Sequence, residues 1–213
     1  LNAYGCTEIG GVASFSRSDD SPEICATTSG KPFDGIEIQI RDLETGYPVE
    51  VGERGSIWCR GYNVFEGYYK DDEKNAECFD NDGWFLTGDI GALDTEGRIS
   101  YMGRVKDMLK VGGENVAAVE IESFIETHPS VSIAQVVSIP DAKYVEIAAA
   151  YIELKPDKEA TEEEIIDFCE GSISSFKVPR HVRFITASEW PMSATKIQKF
   201  RLRDKLCDEL GMS

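Results

Sequence analysis

Gly103-Arg104-Val105-Lys106-Asp107 parts the chain into two unlike halves, and the fold is read outward from it. Residues 1–103 carry 8 basic and 20 acidic side chains, a net of −12, whereas residues 104–213 carry 14 and 19, a net of −5. The earlier half has a β pattern. Ile36-Glu37-Ile38-Gln39-Ile40 alternates apolar and polar residues, and Gly55-Ser56-Ile57-Trp58-Cys59-Arg60-Gly61 is a short run bracketed by glycines. Turn formers at 45–48, 51–55, 81–83 and 94–97 punctuate it, leaving Arg98-Ile99-Ser100-Tyr101-Met102 as its expected last strand. In the later half, Ala117, Ile121, Phe124, Ile125 and His128 recur at helical spacing and stop at Pro129, which predicts a helix over 117–127. Strands are expected at 132–139 and 146–154, and Thr161 with Glu164 forms a capping box that opens a helix. A strand at 181–186 and a closing helix over 197–210 complete the pattern. The fold class is therefore α+β, with a β-rich domain over 1–103 and a small α+β domain over 104–213.

The 213 residues hold 22 basic and 39 acidic side chains, a net charge of −17. Such a charge repels a phosphate backbone and speaks against nucleic acid as a partner. No run approaches the roughly 20 apolar residues of a membrane span. Six cysteines at 6, 25, 59, 78, 169 and 207 include no C-x-x-C pair. They read as dispersed thiols of a reducing cytosol, with pairing of two of them in the fold as the alternative, and a cytoplasmic location is expected. The chain starts at Leu1 with neither an initiator methionine nor a signal peptide, so a missing front portion is expected.

Five short segments could carry chemistry. Tyr4-Gly5-Cys6-Thr7-Glu8 groups a ring, a hydroxyl and a carboxylate around a glycine, although alone it reads more readily as a turn beside an edge strand. Thr87-Gly88-Asp89 is a surface turn or a carboxylate suited to the two hydroxyls of a ribose. Arg104 and Lys106 sit where a linker or a hinge would be. Lys110-Val111-Gly112-Gly113-Glu114-Asn115 precedes the predicted helix and is either a turn or a backbone that approaches a ligand closely. Finally, Lys196 lies on a polar segment expected to be a loop. It belongs to a basic stretch over 177–205, eight basic groups against Glu189 and Asp204, that is either a solvated face or a polyanion site.

Taken in order, Tyr-Gly-x-Thr-Glu at 4–8, Arg60-Gly61 with Gly67-Tyr68-Tyr69, and Gly-Trp-Phe-x-Thr-Gly-Asp at 83–89 form the first half of a longer pattern. Gly-Arg-x-Lys-Asp at 103–107, Gly-Gly-Glu-Asn-Val at 112–116, Glu120-Ile121-Glu122 and Lys196 complete it. This pattern resembles the C-terminal portion of the adenylate-forming (AMP-binding) acyl-CoA synthetases, and the acyl- and aryl-CoA ligase branch more than the luciferase or peptide-synthetase branches.

The resemblance implies an ATP-dependent carboxylic acid:CoA ligase that forms an acyl-adenylate and then a thioester with coenzyme A. It implies Tyr4 on adenine, Thr7 on phosphate, Glu8 on Mg²⁺, Asp89 on the ribose with Arg104 assisting, Lys106 as the hinge, Gly112, Gly113 and Glu114 along the coenzyme A channel, and Lys196 as the catalytic lysine of adenylation. It also places the phosphate loop and most of the acyl pocket ahead of Leu1, so the 213 residues alone are expected to be inactive. Gly10-Gly11 after Glu8 suits an open apolar pocket floor and favours a fatty acyl substrate. Two features depart from the family pattern: Thr195 stands where a glycine is usual, and the spacing from Pro191 is one residue shorter, which makes Lys199 the alternative catalytic lysine. The other readings are an adenylating enzyme with an acceptor other than coenzyme A, and a non-catalytic nucleotide-binding relative.

Overall fold

The computed structural model describes residues 1–194 and 196–212. Two compact units form, Leu1–Lys106 and the chain from Asp107 onward, and one 3-10 turn, Val105–Asp107, spans their boundary. Composition alone puts the division at 103/104. The units divide later because the strand Ile99–Arg104 runs on as part of the first one.

The first unit contains β1 (Ala3–Tyr4), β2 (Ser14–Phe15), α1 (Pro22–Thr27), β3 (Lys31–Pro32), β4 (Ile36–Arg41), β5 (Gly55–Gly61), α2 (Asp72–Cys78), β6 (Phe85–Leu93) and β7 (Ile99–Arg104). The three short strands pair antiparallel in the order β1-β2-β3, and the longer ones form an antiparallel sheet in the order β4-β5-β6-β7. Alternation in β4 and β5 buries Ile36, Ile40, Ile57 and Cys59, which pack with Tyr4, Ile9, Phe85 and Ile99 in one core. The β5–β6 ladder is interrupted at the place that matters for the site. Trp58 stands opposite Leu86 and Ser56 opposite Ile90, so Thr87-Gly88-Asp89 bulges out of register. Gly88 takes a φ of +76°, which a glycine adopts without strain.

The second unit contains β8 (Met108–Val111), β9 (Glu114–Ala117), α3 (Ala118–Ile125), β10 (Val131–Asp141), β11 (Val145–Leu154), α4 (Glu162–Cys169), β12 (His181–Phe184), β13 (Met192–Ser193), β14 (Lys196–Ile197) and α5 (Lys199–Leu210). β11 pairs with β10 antiparallel, with β12 in parallel over Ala149–Ile152 and with β8 at Val145. Ala148, Ala150 and Ile152 pack with Ile121 and Ile125 of α3 and Ile165 and Cys169 of α4. Ile147, Ala149 and Tyr151, on the opposite face, pack with Leu202 and Leu206 of α5. This double burial is why 147–152 reads as a continuous apolar run rather than an alternating one. The capping box is made: Glu164 N donates to Thr161 Oγ1 at 3.2 Å, and Thr161 N donates to Glu164 Oε2 at 2.8 Å. Among the described residues no helix is long and apolar enough to cross a membrane.

Gly112 and Gly113 (φ +61° and +92°) form the two-residue turn of the β8–β9 hairpin, the turn reading of that segment, since two successive positive φ values suit that turn type. Lys196 stands in β14, paired with Ser193, so the closing helix starts at Lys199 rather than 197.

Candidate active site

The first unit gathers five side chains from four separate stretches of sequence. Tyr4 ends β1 and is 5% exposed. Its hydroxyl donates to Asp89 Oδ2 at 2.9 Å, and Asp89, 3% exposed, also accepts from Arg104 Nε at 3.1 Å through Oδ1. Asp89 and Arg104 are register partners across β6 and β7. The bulge aims this carboxylate: Thr87 Oγ1 donates to Ile57 O at 2.9 Å and accepts from Asp89 N at 3.2 Å, which pins the bulge from both sides. Burial first, and the Asp89 charge second, push the Tyr4 phenol well above its ordinary range, so it remains a donor at any physiological pH.

Glu8 stands in the 3-10 turn Thr7–Ile9 that follows β1. Gly5 makes this turn possible, because a Cβ there would lie 2.1 Å from Gly11 O. The turn is fastened from outside by Phe65 N, which donates to Glu8 O at 2.9 Å, and by Asn63 Nδ2, which donates to Ile9 O at 2.8 Å. Tyr68 OH donates to Glu8 Oε1 at 2.9 Å. Partial burial works to raise the Glu8 carboxyl. Hydrogen bonds from its own amide, from Tyr68 and from Cys6, with the positive field of Arg104, outweigh burial and hold it below the usual carboxylate range. Burial and the Glu8 bond push Tyr68 up to about 12. Thr7 is exposed on the same turn, and Lys106 is exposed at the end of the unit.

An anionic, partly exposed carboxylate suits Mg²⁺, which takes oxygen ligands and is commonly held by one or two carboxylates together with phosphate oxygens. Among the described residues no group of three or more His, Cys, Asp or Glu could hold a metal by itself. Glu8 offers one such oxygen ligand.

The second unit holds the remaining expected residues. Gly112, Gly113 and Glu114 lie exposed at the tip of the β8–β9 hairpin, and Gly112 N donates to Tyr144 O at 2.8 Å. Lys196 is exposed on its short hairpin, whereas Lys199 is engaged, donating to Glu122 Oε1 at 2.6 Å. The basic stretch is partly neutralised within the unit: Lys177 pairs with Glu120, Arg183 with Glu162 and Glu209, and Arg203 with Glu146. The six cysteines are free thiols. The sequence pattern contained Tyr68 without assigning it a role, because its partner Glu8 lies 60 residues away.

A family model described as AMP-binding enzyme matches residues 1–69, and one described as AMP-binding enzyme C-terminal domain matches residues 120–196. The chain belongs to the AMP-binding enzyme family, the adenylate-forming ligases. It is 41% identical over 212 residues to YngI of Bacillus subtilis (strain 168), named as an acyl-CoA synthetase, covering 99% of this chain and 38% of that protein. It is 39% identical over 211 residues to the mitochondrial medium-chain acyl-CoA ligase ACSF2 of Bos taurus, covering 99% of this chain and 34% of that one. The chain thus spans between a third and two fifths of the length of the curated relatives it matches. Among solved structures it is similar to ATP-bound MatB from Rhodopseudomonas palustris, with a TM-score of 0.89 and 31% identity, covering 97% of this chain and 40% of that one. It is also similar to the amide bond synthetase McbA from Marinactinospora thermotolerans, with a TM-score of 0.85 and 28% identity, covering 96% and 41%.

Proposed function

We propose that the chain supplies the nucleotide-holding face and the small lid domain of a cytoplasmic ATP-dependent carboxylic acid:CoA ligase. The phosphate loop and acyl pocket would come from residues outside it. One observation carries this reading: Tyr4, Asp89 and Arg104 are linked by hydrogen bonds in the unit that also holds Glu8 and Tyr68. In this reading Tyr4 lies against the adenine, and Asp89, its orientation fixed by Tyr4 and Arg104, receives the ribose. Thr7 donates to phosphate, and Glu8 holds Mg²⁺, which when bound neutralises phosphate charge. Lys196 approaches the attacking carboxylate and the α-phosphate with a flexible cationic stem, and stabilises the charge that builds between them. Lys106 is the hinge, and Gly112, Gly113 and Glu114 line the path of coenzyme A. Similarity to YngI and ACSF2 supports coenzyme A as the acceptor, and ACSF2 favours a medium-chain fatty acid.

The test is product analysis of the complete ligase with ATP, Mg²⁺, coenzyme A and a panel of fatty, aromatic and short-chain acids. Acyl-CoA and AMP from one class of acid is the expected result. Lys196→Ala should abolish adenylate formation and spare thioester formation from supplied acyl-adenylate; equal loss of both would refute the role of Lys196. The similarity to McbA supports a second reading, in which the acceptor is an amine. AMP and pyrophosphate without thioester, and amide on addition of an amine, would establish it.

A further inference from the structure

The hairpin that carries Lys196 has two residues in each strand, and a pairing so short does not hold itself in water. Its position is set by what flanks it. On the entering side Trp190 is 8% exposed, and its Nε1 donates to Glu153 Oε2 of β11 at 2.6 Å. The base is closed by Gln198 N, which donates to Pro191 O at 2.8 Å. On the leaving side, three residues after Lys196, Lys199 Nζ donates to Glu122 Oε1 at 2.6 Å. Glu122 is 7% exposed on α3, and the same oxygen accepts from Val136 N of β10 at 2.7 Å. One buried carboxylate therefore ties α3, β10 and the first residue of α5 together where the chain leaves the hairpin.

A buried ion pair is a poor source of net stability compared with apolar packing of the same volume, but it fixes geometry. We propose that Glu122, acting through Lys199, is a positioning residue that sets where the Lys196 hairpin stands. The inference rests on the reading of Lys196 given above only where it concerns turnover. The Lys196 side chain is exposed; Arg203 and Glu209 make ion pairs further along α5, and the Lys199–Glu122 pair is the one at its first residue, next to the hairpin.

Removing one partner leaves a buried charge and risks unfolding, so the decisive variant removes both: Glu122→Gln with Lys199→Met. In the 213-residue chain, hydrogen exchange at the amides of Lys196, Ile197 and Gln198 should accelerate by about tenfold or more, while exchange in β10 and β11 stays unchanged. Unchanged exchange in the hairpin would overturn the proposal, whatever Lys196 does. In the complete ligase the same pair of changes should lower kcat of adenylation by about 10- to 100-fold, because small misplacement of a catalytic group is costly. KM for ATP and the thioester step from supplied acyl-adenylate should stay unchanged. Lys199→Arg, which retains a cation for Glu122, should restore most of the rate. If exchange accelerates but adenylation is untouched, the hairpin is anchored as proposed and the assignment of Lys196 to adenylation falls. Lys196→Ala, measured alongside, identifies that case independently.

Discussion

Tyr4→Phe removes the hydroxyl that donates to Asp89 in the Tyr4–Asp89–Arg104 cluster, and the cost can be worked out beforehand. The phenol hydroxyl donates at 2.9 Å to a carboxylate that is 3% exposed, so water does not replace it when it is removed. A hydrogen bond to a charged partner contributes about 1.5–3 kcal/mol. Asp89→Asn removes the charge but keeps an acceptor, and it also weakens the bond from Arg104, whose side chain is 34% exposed and can be solvated instead. The coupling between Tyr4→Phe and Asp89→Asn in a double-mutant cycle should therefore approach about 1 kcal/mol or more. The three tryptophans allow this to be read from the correct unit: Trp58 and Trp84 lie in the first and Trp190 in the second. With 5-fluorotryptophan, urea unfolding followed by ¹⁹F NMR should show the Trp58 and Trp84 signals moving to a midpoint about 1 M lower in Tyr4→Phe, for a slope of about 2 kcal/mol/M. The Trp190 signal should not move. A shift below about 0.2 M at Trp58 and Trp84 would refute the claim that this bond holds Asp89 in place.

Gly5→Ala and Gly88→Ala separate two reasons for a glycine. A Cβ at Gly5 would meet Gly11 O at 2.1 Å, so backbone must move and the loss should be roughly 3 kcal/mol. At Gly88 nothing lies within 4 Å and only the φ of +76° is strained, so the loss should be roughly 1 kcal/mol; urea midpoints of the two variants check the order. Cys59 and Cys169 are fully buried, with burial pushing their thiols up to about 12 and about 11, and they should resist an aromatic disulfide reagent at pH 8 until the chain is unfolded. Rapid reaction of either one in the folded chain would contradict the packing around it. Asp80 is lowered even though partial burial opposes it, because the amides of Trp84 and Asp82 and the guanidinium of Arg41 favour its anion. Its stabilisation is therefore complete above the unfolded carboxylate pKa and is lost as pH falls through the lower folded value. Asp80→Asn should flatten the acid unfolding of the first unit below the ordinary carboxylate range, as followed by Trp58 and Trp84 emission.

What the sequence revealed depended on how local the cause was. β5 can be read end to end because glycines bracket it at Gly55 and Gly61, and α4 because its capping box lies within four consecutive residues. The bulge at Thr87-Gly88-Asp89 is not legible in the same way. It exists only relative to Ser56 and Trp58 on the facing strand, so a carboxylate that looks like part of a surface turn in sequence is buried and aimed. The Gly112-Gly113 turn could be read from its glycines, but β9 between it and α3 could not, its four residues being too few to register as a period. Tyr68 and Glu122 belong to the same class of miss: their partners lie 60 and 77 residues away, and no spacing rule reaches that far.

On the proposed function, burial favours one of the two lysines near the end of the chain where motif spacing leaves the choice open. A lysine that acts in one half-reaction and withdraws in the next must leave its resting place in every turnover. Lys199 would have to abandon Glu122, a carboxylate 7% exposed, and breaking a buried pair costs roughly 3 kcal/mol or more. Charged against the barrier, that is about a hundredfold in rate. Lys196 faces no such cost, because it is exposed on the hairpin. The first unit follows the opposite rule. Asp89 is held by Tyr4 and Arg104 and Glu8 by Tyr68, so the groups expected to receive the nucleotide are set before it arrives and need little reorganisation. On the proposed function, the missing glycine at Thr195 counts for less than the spacing suggests, because the exposed Lys196 side chain leaves its resting place without breaking a buried pair.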